Sequence, residues 1–215
     1  MHGVRMLKLL LSICCLSWIT SPFLYPQSIQ SYGFKVGVAS ATQSWDYHDT
    51  PYPMRLPTEQ RWGIDAGIFI EVLKIPNASV LGELHYIQKG YSVTLAVTTP
   101  DSPEGAGYLT IHPRIDYLSI PVLIKLRYEM TMMNPYLFVG PRADISIGYS
   151  DDSAFDEFKG TDVGISSGMG VEMPWTPVKA ILVEFRYSPS ISNAYKGRFV
   201  TVRNRSWEFH LGVVL

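Results

Sequence analysis

Two histidines carry the clearest catalytic potential in this sequence. His85 and His210 each follow a glutamate by two residues, Glu83 and Glu208. In an extended strand each such pair lies on one face. A carboxylate can orient an imidazole as a general base beside a serine hydroxyl. The same side chains can instead form ion pairs and hydrogen bonds in a packed polar interior, and we favour that interpretation.

Two further segments have metal-binding residue types. Asp46, His48 and Asp49 lie close together in a proline-rich stretch, but their spacing is loose and no second ligand cluster accompanies them. A later acidic cluster contains Asp151, Asp152, Asp156 and Glu157. It lacks the alternating aspartates of a calcium loop, so solvation is expected, with contact to lipopolysaccharide-bridging cations as a hypothesis. We therefore expect no catalytic, cofactor-binding or metal site.

The first residues predict an export signal. Arg5 and Lys8 accompany an apolar run, Leu7 to Ile19, that is too short for a membrane-spanning helix. We assign residues 1–28 to the signal, with cleavage between residues 20 and 31, and a buried N-terminal helix is the alternative. Both cysteines, Cys14 and Cys15, fall in this segment, so thiol chemistry and disulfides are not expected in the mature chain.

Composition narrows the function classes further. The chain has 215 residues, a net charge of −1 and a sequence pI near 6.5. It has no basic stripe with interleaved aromatics, which argues against a nucleic-acid partner. With 17 Gly, 13 Tyr and only 17% charged residues, the composition favours β structure with aromatic girdles.

The elements that must position these residues are strands. Between Tyr117 and Tyr149, apolar residues occupy every second position on both sides of a turn at Met130 to Asn134. Period two is the signature of a strand with two unlike faces. These apolar faces are six or seven positions deep, which is the depth needed to span a bilayer. We therefore expect transmembrane strands.

The alternation recurs along the chain. Six further strands are predicted at Tyr32–Thr42, Trp62–Leu73, Ala78–Tyr91, Asp162–Met173, Val178–Tyr187 and Arg205–Leu215. Long connections alternate with tight turns throughout, which is typical of an outer-membrane barrel with long outer loops and short inner turns.

The faces opposite the apolar ones carry charges of both signs. These residues are Lys35, Asp65, Glu71, Glu83, Lys125, Arg127, Arg142, Asp144, Glu172, Glu184, Arg186 and Glu208. An eight-stranded barrel is narrow enough for side chains to fill it, so we expect these groups to pair across the lumen. Gly164, Gly168 and Gly170 are expected to leave room for long Arg and Lys side chains there.

The sequence resembles a known family. Gly82 to Tyr91 (GELHYIQKGY), the segments YLSIPVLIKLRYE and NPYLFVGPRADISIGY, and ILVEFRYS from Ile181 are similar to PorT-like outer-membrane barrel proteins of the Bacteroidetes. The resemblance runs across essentially the whole predicted mature chain, and it implies an eight-stranded outer-membrane barrel. It implies little about activity. Leu215 departs from the terminal phenylalanine that such barrels more often carry.

We predict an all-β protein: a signal peptide followed, over residues 29–215, by an eight-stranded antiparallel up-and-down transmembrane β-barrel of the outer membrane. We expect a structural, adhesive or secretion-associated role with four displayed loops, and no catalysis. Expected partners are outer-membrane lipid, lipopolysaccharide and the barrel-assembly machinery, which would engage the C-terminal strand of a monomer. The alternatives are a soluble lipocalin-like barrel, a lipid-modifying barrel enzyme using His85 or His210, and a diffusion pore.

Overall fold

The computed structural model describes residues 29–47, 58–99, 102–150, 159–195 and 200–215. The predicted export signal, His48, Asp49 and the acidic cluster at 151–157 lie outside these residues. The strands are β1 (Ile29–Tyr47), β2 (Arg61–Ile75), β3 (Ala78–Gly90), β4 (Val93–Thr99), β5 (Ser102–Ile111), β6 (Arg114–Arg127), β7 (Asn134–Tyr149), β8 (Thr161–Pro174), β9 (Ala180–Pro189) and β10 (Val200–Val214). Within the described ranges, no helix has the length and apolar character needed to cross a membrane.

Eight of the strands close into a barrel, which confirms the predicted fold. The order around the barrel is β1-β10-β9-β8-β7-β6-β3-β2, and every neighbouring pair is antiparallel. The first and last strands pair from Gly33 opposite Val214 to Tyr47 opposite Val200. This seam leaves no barrel strand with an unpaired edge, and closure of that kind is what lets strands exist in hydrocarbon.

The two faces of each barrel strand have the orientation that the alternation predicted. Ile120, Ile145 and Phe209 are 40%, 42% and 43% exposed on the outer surface. Lys125, one residue after the exposed Ile124, is only 2% exposed. A soluble lipocalin-like barrel would reverse these faces, so that alternative is wrong.

The segment after β3 differs from the prediction, which treated residues 92–112 as a loop. It contains a two-stranded sheet, β4 and β5, that pairs with no barrel strand. Because β4 follows β3 after two residues and β5 precedes β6 by two, the hairpin continues the β3–β6 pair. The barrel strands also extend beyond the predicted limits: β1 reaches Tyr47 and β10 begins at Val200.

Two apolar clusters lie inside the barrel. The turn-end cluster comprises Phe69, Leu81, Leu123, Tyr136, Phe138, Ala180, Leu182 and Val214. The loop-end cluster comprises Ala39, Ile87, Tyr91, Val93, Ile115, Tyr117, Ala194 and Val202, with Trp45 and other partly buried residues packed against it. The lumen is therefore filled at both levels by apolar side chains, and burying them contributes hydrophobic stabilisation independent of lipid.

Glycines on β8 admit the aromatic rings of the turn-end cluster. A Cβ atom on Gly170 would overlap the Tyr136 ring, and one on Gly168 would overlap the Phe138 ring. The expectation that these two glycines make room for Arg and Lys is therefore wrong. It holds for Gly164, where a Cβ would stand 3.0 Å from Nη2 of Arg142.

Replacing Gly170 with alanine is expected to lower the free energy of unfolding by about 1–3 kcal/mol, the usual cost of overpacking. The added methyl group would displace the Tyr136 ring. Urea titration of the barrel in lipid vesicles, followed by tryptophan fluorescence, measures the change. Gly148→Ala is the matched control, because its Cβ would lie 3.7 Å from the nearest atom, and it should cost within about 0.5 kcal/mol. Equal costs for the two variants would contradict this account of Gly170.

Candidate functional site

The candidate site is the polar interior of the barrel, which divides into three networks. The turn-end network comprises Ser31, Glu71, Ser79, Lys125, Arg127 and Glu172. Lys125 bonds to Glu172 and donates to Glu71 at 3.0 Å. Nη2 of Arg127 donates to both Glu71 oxygens, at 2.8 and 3.0 Å. Two cations therefore neutralise two carboxylates here, as low-dielectric surroundings require.

The central network is built around two cations that share two carboxylates. Nζ of Lys35 donates to Glu83 at 2.5 Å and to Glu184 at 2.7 Å. Nη2 of Arg186 lies 2.7 Å from Glu83 and 2.5 Å from Glu184. Nε of Arg186 also lies 3.8 Å from Glu208. All five side chains are buried, so each depends on the others for charge compensation.

The loop-end network ties the barrel wall to the segment after β9. Nζ of Lys89 donates to Asp144 at 2.8 Å, and Nε of Arg142 lies 3.2 Å from the same carboxylate. A second carboxylate, Asp162, accepts hydrogen bonds from Ser190 (2.5 Å), Ser192 (2.5 Å) and Asn204 (2.8 Å). These bonds hold Ser190 and Ser192, just after β9, against β8.

Asp65 brings the two histidines together at the edge of the central network. Its Oδ1 lies 2.6 Å from Nδ1 of His85, and its Oδ2 lies 2.8 Å from Nε2 of His210. The far nitrogens also face carboxylates: Nε2 of His85 lies 3.2 Å from Glu83, and Nδ1 of His210 lies 3.7 Å from Glu184. The rings are buried, with their centroids 5.4 Å apart.

Local sequence explains why these three side chains converge. Gly37 on β1 stands opposite Asp65 on β2 and opposite His210 on β10. Gly67 on β2 stands opposite His85 on β3. A Cβ atom on Gly67 would lie 2.5 Å from Cγ of His85, and one on Gly37 would lie 2.9 Å from Cδ2 of His210. Because glycine has no Cβ atom, the two rings can lie directly against the backbone at Gly37 and Gly67.

The structure places all twelve predicted charges in the lumen, where eleven are buried and Arg127 is partly exposed. His85 contacts Glu83 as the sequence suggested. His210 contacts Asp65 and Glu184, which sequence reasoning did not identify as its partners. Among the described residues, the buried charges Lys89 and Asp162 were missed. The β3 alternation could have found Lys89, because it shares the parity of Glu83 and His85.

A serine–histidine contact lies outside the lumen, at the base of the β4–β5 hairpin. Oγ of Ser92 lies 2.6 Å from Nδ1 of His112. Ser92 also exchanges two backbone hydrogen bonds with Glu59, at 2.8 and 3.1 Å. Serine and histidine can form a nucleophile and its base, but Ser92 is buried. Among the side chains that the structure describes, the recorded partner of the His112 ring is Ser92, and no carboxylate pairs with it. We therefore interpret the pair as a structural contact that joins the two ends of the hairpin at its base.

Comparison with known proteins gives one family and several similar folds. Residues 27–196 match the model of the outer membrane protein beta-barrel domain. The attachment invasion locus protein Ail of Yersinia pestis is 13% identical, with 86% of this chain and 98% of Ail covered and a TM-score of 0.41. Neisserial surface protein A is 14% identical, with coverages of 84% and 96% and a TM-score of 0.40. The outer membrane protease OmpT of Escherichia coli is 10% identical, with coverages of 88% and 96% and a TM-score of 0.47. Among curated proteins, no sequence matches this chain.

Proposed function

The chain belongs to the outer membrane protein beta-barrel family, and on that premise we propose that it is a closed scaffold that displays its long loops at the cell surface for adhesion. The observation that carries the proposal is the β4–β5 hairpin. Its seven-residue strand β4 spans about 20 Å at the usual rise per residue. Near its base Tyr108 and Leu109 are 83% and 54% exposed. As neighbours in a strand, Tyr108 and Leu109 point to opposite faces of the hairpin, so each face offers one exposed apolar side chain for contact.

The filled lumen supports a scaffold rather than a pore. Ion pairs and two apolar clusters occupy the interior of the described barrel, and an eight-stranded barrel has little space beyond its side chains. A diffusion pore would need a continuous aqueous path.

The proposal includes no catalytic step. A lipid-modifying barrel enzyme needs its reactive groups near the lipid-facing surface, whereas His85 and His210 are both buried in the lumen. Asp65 contacts both rings, at 2.6 Å from His85 and 2.8 Å from His210. We therefore assign these histidines a role inside the barrel and not on a lipid substrate.

Export and assembly are part of the same proposal. Residues 1–28 would direct export, and β10, with its outward Trp207, Phe209 and Leu211, would be the strand that engages the barrel-assembly machinery. The barrel would insert as a monomer whose loops meet lipopolysaccharide. The resemblance to PorT-like proteins suggests a second role for the loops, which is contact with components of a secretion system.

Shortening the hairpin tests the proposal. A variant in which Asn-Gly joins Val93 directly to Ile111 replaces residues 94–110 with a two-residue turn suited to an antiparallel pair. We expect the variant to insert normally, because β4 and β5 pair with no barrel strand, and to lose at least about tenfold in cell adherence, the size of loss that removing one interface hot spot produces.

Two measurements distinguish an adhesive role from a secretion-associated one. Adherence to epithelial monolayers and autoaggregation report adhesion, and the protein content of the culture medium reports secretion. Tyr108→Ser with Leu109→Ser in the full-length hairpin should reproduce most of the loss. Unchanged adherence and unchanged secretion in a correctly inserted short-hairpin variant would contradict a contact role for this hairpin.

A further inference from the structure

The three lumen networks differ in charge balance. The turn-end network pairs Lys125 and Arg127 with Glu71 and Glu172. In the loop-end network Lys89 and Arg142 accompany two carboxylates, Asp144 and Asp162. Both networks therefore contain as many cations as carboxylates.

Among the side chains that the structure describes, the central network has a deficit of two positive charges. Its fixed cations are Lys35 and Arg186, and its carboxylates are Asp65, Glu83, Glu184 and Glu208. Arg142 approaches this network only at Glu208, at 4.0 Å. A buried carboxylate without compensation is costly, so two further positive charges belong beside Asp65, His85 and His210.

Two arrangements supply these charges: protonation of both imidazoles, or one divalent cation between them. The first places two like charges on rings whose centroids are 5.4 Å apart, and like charges at such separation disfavour each other. The second leaves both imidazoles neutral and removes this repulsion. The two near nitrogens lie at hydrogen-bond distance from Asp65, 2.6 and 2.8 Å, so the second arrangement requires these distances to lengthen.

The near nitrogens converge, and the far nitrogens each face a different carboxylate. One donor atom each from Asp65, His85 and His210 lies within 4.8 Å of the other two. Histidines that bind a metal nearly always direct the opposite N–H to a carboxylate or carbonyl, which fixes the tautomer. Glu83 lies 3.2 Å from Nε2 of His85 and Glu184 lies 3.7 Å from Nδ1 of His210. These carboxylates stand beside the far nitrogens, although neither nitrogen has a hydrogen-bond partner among the described residues.

We propose that Asp65, His85 and His210 bind one divalent transition-metal ion of the Zn²⁺ class inside the barrel. Two imidazole nitrogens and one carboxylate oxygen are a donor set that suits Zn²⁺, with a fourth position for water. Metal–ligand bonds of about 2.0–2.1 Å require donors about 3.3 Å apart in a tetrahedral site, so Asp65 withdraws slightly from both rings on binding. Along β3, His85 lies between Leu81 of the turn-end cluster and Ile87 of the loop-end cluster, so the ion is acquired before the barrel closes.

Metal content of the whole protein tests the proposal. The barrel, purified from membranes in detergent without chelator, is expected to contain about one equivalent of Zn²⁺ by elemental analysis, the content of a mononuclear site. After unfolding in urea with EDTA, refolding into metal-free vesicles with Co²⁺ present should give the visible d–d absorption of a low-symmetry N/O site. Zn²⁺ present during refolding should raise the urea midpoint of unfolding.

Variants assign the ion to this cluster. His85→Gln and His210→Gln should abolish the Co²⁺ absorption, and Glu83→Gln should weaken binding about 10–100-fold by releasing the far nitrogen of His85. His112→Gln, which alters the exposed histidine at the hairpin base, is the matched control and should bind normally.

Two results would overturn the proposal. One is a folded wild-type barrel that contains no metal, gives no Co²⁺ band and shows no Zn²⁺-dependent midpoint; the two charges then reside on imidazolium rings. The other is full metal content in folded His85→Gln and His210→Gln variants, which would mean adventitious binding elsewhere. If these variants do not fold, the metal content and Co²⁺ spectrum of the wild type decide the question alone.

Discussion

Replacing Arg186 with methionine is expected to lower the free energy of unfolding by about 3–5 kcal/mol, the usual cost of removing one partner from a buried ion pair. Arg186 is 2% exposed and lies within 2.7 Å of both Glu83 and Glu184. Methionine preserves much of the volume against the Phe138 ring, over which the guanidinium lies at 5.0 Å. The loss therefore reports the uncompensated carboxylates and not a cavity.

A second substitution separates charge from packing. Glu83→Gln in the Arg186→Met background should recover part of the loss, because it removes one of the unpaired carboxylates. Arg205→Met is the control, since Arg205 is exposed and its replacement should change stability within about 0.5 kcal/mol. Reversible urea titration in lipid vesicles measures all three variants. A small loss for Arg186→Met, or no recovery in the double variant, would show that the central network contributes little to stability.

A charge introduced on the outer face is also expected to lower the free energy of unfolding strongly. Ile120→Arg should cost about 2–4 kcal/mol, as expected for an arginine facing lipid near the bilayer midplane. Ile120 lies in the middle of β6 and is exposed on the outer face. A guanidinium at that position must leave water for hydrocarbon or distort the bilayer to reach it.

The same substitution near the end of the strand is the control, because the cost of an outward arginine depends on its depth in the bilayer. Tyr128 is 69% exposed just beyond the end of β6, so Tyr128→Arg should cost only about 0–1 kcal/mol, the value near an interface. The same vesicle titration compares the two variants. A barrel surrounded by water would tolerate Ile120→Arg as well as Tyr128→Arg, and that outcome would remove the basis for a membrane-spanning barrel.

The alternation of residue types predicted the barrel because lipid requires apolar side chains on the outer face of every strand. For example, the apolar Ile120 faces outward and its polar neighbour Ser119 faces the lumen, as their side chains alone indicate. The pattern weakens where the strands leave the bilayer. Ser44 and Asp46 continue β1 by pairing with Arg203 and Thr201, but both are polar, so the apolar outer face does not mark this extension in the sequence.

The β4–β5 hairpin was missed for a related reason. Its apolar alternation at Val93, Leu95 and Val97 is followed by Pro100 and Pro103, which predict an irregular loop. The paired strand β5 nevertheless includes Pro103. A hairpin edge without a barrel neighbour can include proline, because it has no ladder hydrogen bond to lose on that side.

Convergence of Asp65, His85 and His210 could not be predicted from sequence alone. The three residues lie on β2, β3 and β10, and they meet only because β1 pairs with both β2 and β10 in a particular register. A register shift of one residue at either seam would turn the opposite face of a strand to the lumen. Sequence therefore predicted that His85 and His210 point inward, but not that one aspartate holds both.

The orientation of the strand faces is tested most directly by methyl NMR of the native chain in lipid nanodiscs. Ile124 is 56% exposed, and its neighbour Leu123 is completely buried. Intermolecular nuclear Overhauser effects from lipid acyl chains should therefore reach the methyl groups of Ile124 and Ile120 and be absent at Leu123. Acyl-chain contacts at Leu123 but not at Ile124, or water contacts in place of lipid contacts at Ile124, would contradict a barrel with an apolar exterior and an ion-paired lumen.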